Sequence, residues 1–315
     1  MKILIYQPRM FGDIILGTTA AKELKKIYPN SSITYITSHK ALTETNPYID
    51  FSYERKFPKR FELLYFKFIK IFYTKAFYLK HWLPNKNMVQ SYMSDIDLDR
   101  KNYQTKIYLT DEDINLAKKY LETIDNKKKI IAIQDDFARK WNATEVEKIK
   151  KMLIQNFHLV EIGDSMTFNN KKLNIRQAAA VTSLCDLYLG GISANLHAAV
   201  AVNIPTIGIS CAFNPEWDMP EYYQNEFIED PKKKHITVPI NPRKFCGYYS
   251  QSYQTEKYIY VHGGDYSPDE CFKDINKKYD EIAEKYSQNI IKYPCYCSID
   301  ADDVYKLVLN FFDNP

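Results

Sequence analysis

Ile5-Tyr6-Gln7-Pro8-Arg9-Met10-Phe11-Gly12-Asp13-Ile14 is the stretch on which the fold turns. An apolar run that begins at Lys2 stops at Gln7-Pro8, and a helical pattern starts just beyond Gly12. Strand, turn and helix in that order make one β-turn-α unit, and in an open α/β sheet ligands bind at the C-terminal ends of the strands. Asp13 stands at such an end. A carboxylate there also has a purely structural use, because it can cap free N–H groups and answer the helix dipole. Gly12 beside it permits close backbone approach.

The same unit recurs along the chain. Strand-like runs at Lys2 to Tyr6, Ser32 to Thr37, Ile130 to Gln134, His158 to Ile162, Leu187 to Leu189 and Thr206 to Ile209 alternate with helical patterns, which predicts an α/β fold with parallel sheets. In Ile14 to Tyr28, residues Leu16, Ala20, Leu24 and Ile27 recur at helical spacing until Pro29-Asn30 ends the pattern. A helix-like Asp111 to Ile124 is followed by the polar Asp125 to Lys129 and then a new apolar strand, so the division is placed there. Residues 1–125 and 126–300 then form two Rossmann-like lobes facing a central cleft, each opening strand, turn, helix. In 301–315, Val304, Leu307, Val308 and Phe311 lie on one helical face, expected to pack back on the first lobe.

A chain of 315 residues is long enough for two such cores. No stretch approaches the ~20 apolar residues of a membrane span, and the short apolar N-terminus lacks the pattern of a secretory signal, so a cytoplasmic protein is expected. Six scattered cysteines without an export signal suggest reduced thiols, and Cys295-x-Cys297 lacks the spacing of common zinc pairs. The net charge of +4 is mild, but Arg55 to Lys86 holds nine Lys or Arg against a single acid, Glu62, among many aromatics. That segment reads as an amphipathic surface with an apolar core side, as a surface for an anionic lipid or phosphorylated saccharide at a membrane, or as a nucleic-acid groove.

Two more turns carry chemistry-bearing residues. Gln134 to Trp141 places Arg139 and Lys140 beyond a strand end, suited to a diphosphate and equally to a solvated basic loop. Leu189-Gly190-Gly191-Ile192-Ser193-Ala194-Asn195-Leu196-His197 joins a strand end, a glycine pair and an N-cap hydroxyl to a small-residue helix whose amides could cradle phosphate. It is neither a Walker loop nor GxGxxG. His197 alone is more often a packing histidine than a catalyst.

Together the three turns resemble glycosyltransferase family 9, the ADP-heptose:lipopolysaccharide heptosyltransferases, over nearly the whole chain. Met10 to Leu16 is similar to the family's N-terminal Gly-Asp motif, followed by Tyr28-Pro29 and Asn46-Pro47 as in the family. Lys140-Trp141, the Ile162-Gly163 turn and the Ser193, Ala194, His197 loop match its donor side, and Cys297-Ser298-Ile299 resembles its cysteine-containing tail. The resemblance implies a GT-B fold and inverting sugar transfer from a nucleotide-diphosphate sugar; a diphosphate is a good leaving group and no Asp-x-Asp motif is evident at a strand end, so metal-independent catalysis with no cofactor is expected. It implies Asp13 as catalytic base, and donor contacts from Gly12, Arg139, Lys140, Gly163, Gly191, Ser193, Ala194, Asn195 and His197. Arg9, Lys56, Lys59 and Arg60 are assigned to an anionic acceptor, a lipopolysaccharide-type glycan. A monomer in the cytoplasm with peripheral contact at the inner membrane surface is expected. Two departures stand out: Ile192 and Ala194 replace an acidic residue and a glycine, the lost carboxylate putting heptose in doubt, and the basic aromatic segment Arg55 to Lys86 falls where such enzymes meet the acceptor. A DNA glycosyltransferase acting on a hydroxylated base, and a non-catalytic nucleotide-sugar-binding protein, are the alternative readings.

Overall fold

The computed structural model describes residues 1–55, 59–79, 86–99, 102–124, 128–134, 143–163, 166–210, 223–227, 234–239 and 300–313. Its first half holds β1 (Lys2–Gln7), α1 (Phe11–Gly17), α2 (Thr19–Ile27), β2 (Ser32–Thr37), β3 (Phe51–Glu54), α3 (Glu62–Ile69), β4 (Lys75–Tyr78), α4 (Met88–Ser94) and α5 (Asp111–Leu121). The second holds β5 (Ile130–Gln134), α6 (Ala143–Asn156), β6 (His158–Ile162), the short hairpin β7 (Thr167–Phe168) and β8 (Lys171–Lys172), α7 (Ile175–Ser183), β9 (Leu187–Gly191), α8 (Ala194–Ala201), β10 (Thr206–Ser210), β11 (His235–Pro239) and a closing helix α9 (Ala301–Asp313).

The strands form two parallel sheets, β3-β2-β1-β4 and β11-β10-β9-β5-β6. A strand flanked by helices on both faces needs apolar residues on both. Accordingly Ile3, Leu4, Ile5 and Tyr6 of β1 are all fully buried. Ile3 and Ile5 face α2 and α4, through Leu24, Val89 and Met93. Leu4 and Tyr6 face α3, through Ile69 with Tyr65 and Phe66. In the second sheet, Ala132, Val160 and Tyr188 pack on α5, α7 and α8, while Ile131, Leu187, Leu189 and Ile207 pack on α6 and α9.

Three expectations change. The single helix from Ile14 to Tyr28 is two helices, broken at Thr18, whose hydroxyl turns back to the Ile15 carbonyl. The division after residue 125 separates α5 from its partners, because Ala117 and Leu121 are buried in the second sheet's core. The closing helix does not return to the first lobe's core: Ala301, Val304 and Val308 are buried with Val146, Ile149 and Leu153 of α6. Its apolar face was correctly read, but an amphipathic face does not say which core it covers.

The halves touch through α1. Ile14 and Ile15 pack with Ala179 of α7 and with Ala198 and Ala201 of α8. Arg176 of α7 adds a polar tie, donating to Asp113 at 2.8 Å, to Glu44 at 2.8 Å and to the Ala41 carbonyl at 3.1 Å.

Candidate active site where α1 meets α8

The turn after β1 is built around Asp13. Met10 is extended (φ −73°, ψ 166°) and its N–H donates to Asp13 Oδ2 at 3.3 Å, the half of a capping box that a carboxylate at the third helical position supplies. The other oxygen has a different partner: Tyr92 of α4 donates its hydroxyl to Oδ1 at 2.5 Å. Asp13 is partly buried. Burial raises its pKa above the ordinary 3.8, opposed by the Tyr92 hydroxyl, the Met10 amide and the charge of Arg9. The helix cap and the carboxylate of raised pKa are thus one arrangement.

Gln7 holds the turn from below. It ends β1 with 0% exposure, and its Nε2 donates to the Asp13 backbone carbonyl at 2.8 Å. Its Oε1 accepts from the Tyr35 hydroxyl. A Cβ on Gly17 would lie 2.1 Å from that Oε1, so only glycine leaves room for the amide along α1.

Gly12 joins this turn to the second lobe. A Cβ there would meet His197 Cδ2 at 3.3 Å and the Ala194 Cα at 3.5 Å, so the first turn of α1 lies against the first turn of α8. His197 is buried, its Nδ1 2.9 Å from the Tyr223 hydroxyl, and burial lowers its pKa to about 4, which leaves it neutral near neutrality.

The start of α8 is pinned by strand ends. Ser193 is the N-cap, its Oγ accepting from Leu196 N at 3.3 Å and donating to Gln134 Oε1 at 3.2 Å. Gln134, the last residue of β5 and 1% exposed, also accepts from Gly191 N at 3.1 Å. Asn195 donates from Nδ2 to the Ile162 carbonyl at the end of β6, 3.2 Å away, and partly buried Gly163 follows. The C-terminal ends of β5, β6 and β9 therefore converge on the N-terminus of α8, where backbone N–H groups and the helix dipole favour an anion.

Arg9 lies in the Asp13 turn, partly buried, with its carbonyl accepting from Ser38. Arg60 is exposed with its guanidinium 4.8 Å from the Phe61 ring centre. Arg139, Lys140, Trp141 and Lys56, the side chain of Lys59, and the cysteines other than Cys185 lie outside the described residues. Ile192, standing where the resemblance has an acid, is buried in the second lobe's apolar core. Sequence reasoning missed Tyr92, Gln7, Tyr35, Gln134 and Tyr223. For the two glutamines a signal existed, since each is the polar last residue of an otherwise apolar strand.

The sequence matches no family model and no curated protein. Among solved structures it is similar to the glycosyl transferase family 9 protein of Veillonella parvula, over 100% of this chain and 97% of that one, with TM-score 0.65 and 14% identity. It is similar to TibC of enterotoxigenic E. coli, described as an iron-containing dodecameric glycosyltransferase, over 99% and 78%, with TM-score 0.63 and 12% identity. It is also similar to ADP-heptose LPS heptosyltransferase II of E. coli, over 76% and 90%, with TM-score 0.57 and 14% identity. At such identities the likeness is one of fold. The chain has the α/β GT-B fold of these glycosyltransferases, and the resemblance read from its three turns has a matching architecture.

Proposed function

We propose that this chain transfers a sugar from a nucleotide-diphosphate donor to a hydroxyl acceptor, inverting the anomeric centre, with Asp13 as general base. The acceptor O–H gives its proton to the Asp13 carboxylate as its oxygen bonds to the anomeric carbon. The bond from that carbon to the diphosphate oxygen breaks, and the nucleoside diphosphate leaves with the electron pair. Such a leaving group needs no general acid, only stabilisation of its charge. The first amides of α8 with Ser193 and Asn195, and Arg139 and Lys140 from the turn after β5, are assigned that role, and metal independence follows as part of the proposal.

The observation that carries this reading is the seating of the Gly12-Asp13 turn directly on the Ser193–His197 turn. One junction thereby holds a partly buried carboxylate of raised pKa and a helix N-terminus at three converging strand ends. A raised pKa makes Asp13 a stronger base than a free carboxylate. The neighbours' own descriptions include lipopolysaccharide transfer, so a surface glycan is the acceptor class proposed. With Ile192 buried in the core, no carboxylate at that position reaches the donor, and a sugar other than heptose is proposed.

The test is a screen of nucleotide sugars by thermal shift, followed by turnover of the stabilising donor with wild type and Asp13→Asn. The amide keeps the shape and removes the basicity, so donor binding is expected to persist while transfer falls ~10²–10⁴-fold. Wild-type turnover by the variant would sink the assignment.

A further inference from the structure

Helix α3 is apolar on two opposite faces. Tyr65, Phe66 and Ile69 pack down on Leu4, Tyr6 and Ile36. On the other side Leu64, Phe68, Ile71 and Phe72, at helical spacing across α3 and the turn that continues it, are exposed by 67, 61, 67 and 62%. Phe61 and Leu63 extend the ridge. A helix apolar all round is normally enclosed, and a contiguous exposed apolar patch with a polar rim marks an interaction surface.

The rim is cationic. Arg60, Lys67 and Lys70 are exposed beside the ridge, and no acid among the described residues pairs with them. The one acid of the segment, Glu62, is buried and neutralised from inside by Arg55 at 3.1 Å. At the foot of the ridge a cavity of about 440 Å³ is lined by Tyr53, Glu54, Tyr65, Ile69, Phe72 and Tyr73.

We propose that this ridge docks on an anionic lipid bilayer, with Leu64, Phe68, Ile71 and Phe72 entering the headgroup boundary and Arg60, Lys67 and Lys70 lying at phosphate level. Charge decides the occupant. A second copy would bring two cationic rims together, whereas an anionic bilayer offers apolar depth under a negative surface, and Lys and Arg stems can lie along the apolar side with their charges outward. Among the described residues no helix is long and apolar enough to cross a membrane. The proposal stands apart from the sugar-transfer reading, because vesicle binding is measured without donor.

The experiment is flotation of the full chain with phosphatidylcholine vesicles, with and without phosphatidylglycerol, at low and high salt, alongside its mass in solution by light scattering. Binding that requires phosphatidylglycerol and weakens with salt is expected. Leu64→Glu and Phe68→Glu should each lower vesicle affinity about tenfold, and Lys67→Glu with Lys70→Glu should abolish the preference for anionic lipid. All these side chains are exposed, so unchanged melting and near-UV circular dichroism will show that the variants fold. Failure of the wild type to float, or flotation unaltered in Leu64→Glu and Phe68→Glu, overturns the proposal. So does a wild-type dimer that those variants convert to monomer, which would make the ridge a self-association face.

Discussion

Replacing Tyr92 by Phe removes one hydroxyl and keeps the ring. Tyr92 is 4% exposed and sits among Val89, Met93 and Leu24, so the change opens no cavity of consequence, and its effect is confined to the bond with Asp13 Oδ1. A hydrogen bond to a charged group is worth about 1.5–3 kcal/mol, one to a neutral group about 0.5–1.5 kcal/mol. The loss should therefore depend on whether Asp13 is ionised. Burial raises the folded-state pKa of Asp13 above its unfolded value. The stability this group contributes is then fully present below the unfolded pKa and is lost as pH rises through the folded one. Without the Tyr92 hydroxyl, which favours the charged form, the folded pKa moves higher still and the penalty at neutral pH grows. Urea unfolding of Tyr92→Phe is expected to show a loss about 1 kcal/mol larger near neutrality than in mild acid. In a transfer assay the acidic limb of the pH–rate profile should move to higher pH. Equal losses at both pH values, with an unmoved profile, would refute the claim that Tyr92 acts on the ionised carboxylate.

Gln134→Ala should leave the buried Gly191 N–H without its acceptor and release the Ser193 hydroxyl, costing about 1–3 kcal/mol by denaturant titration. It should also weaken nucleotide-sugar binding in the thermal-shift screen; unchanged stability and binding would remove Gln134 from the site. Gly17→Ala places a methyl 2.1 Å from Gln7 Oε1 and must displace that amide, so about 1–3 kcal/mol of overpacking and lost hydrogen bonding is expected in the same titration. Gly17→Ala combined with Gln7→Ala should cost less than the sum of the two, and additivity would refute the shared contact. Transfer measured after exhaustive chelation should keep its rate, and restoration of a lost rate by a divalent cation would show that a metal takes part.

What could be read from the sequence follows from how each element is buried. The strand Ile130–Gln134 was placed to the residue because a parallel strand covered on both faces is an apolar run, here unbroken as far as Ile133. β3 and β4, at Phe51–Glu54 and Lys75–Tyr78, were missed because they are edge strands of four residues each that carry exposed positions and no clean period. The break at Thr18 was invisible because the helical period runs through it; close packing of Gln7 against Gly17 is a tertiary fact. Asp13 was legible as a candidate from its place after a strand. Tyr92, 79 residues away in sequence, was not, since nothing local marks a tyrosine that will meet a carboxylate from another element.

Gln7 and Gln134 show why the two turns can be rigid without competing charges. Each closes the first strand of its half and is almost completely buried. A buried side chain at such a point must be fully hydrogen-bonded. Gln7 spends its donor on the Asp13 carbonyl and its acceptor on Tyr35, and so fixes the backbone that carries the carboxylate. Gln134 spends its acceptor on Gly191 N and Ser193 Oγ, and so fixes the turn that leads into α8. A carboxylate in place of Gln7 would meet the Asp13 carbonyl with no donor, and one in place of Gln134 would set a negative charge beneath the proposed diphosphate site. A hydrocarbon at either position would leave buried backbone groups unpaired. A neutral amide holds both turns and adds no charge to that of Asp13, Arg9 and the α8 dipole, as the proposed base and the proposed anion site require.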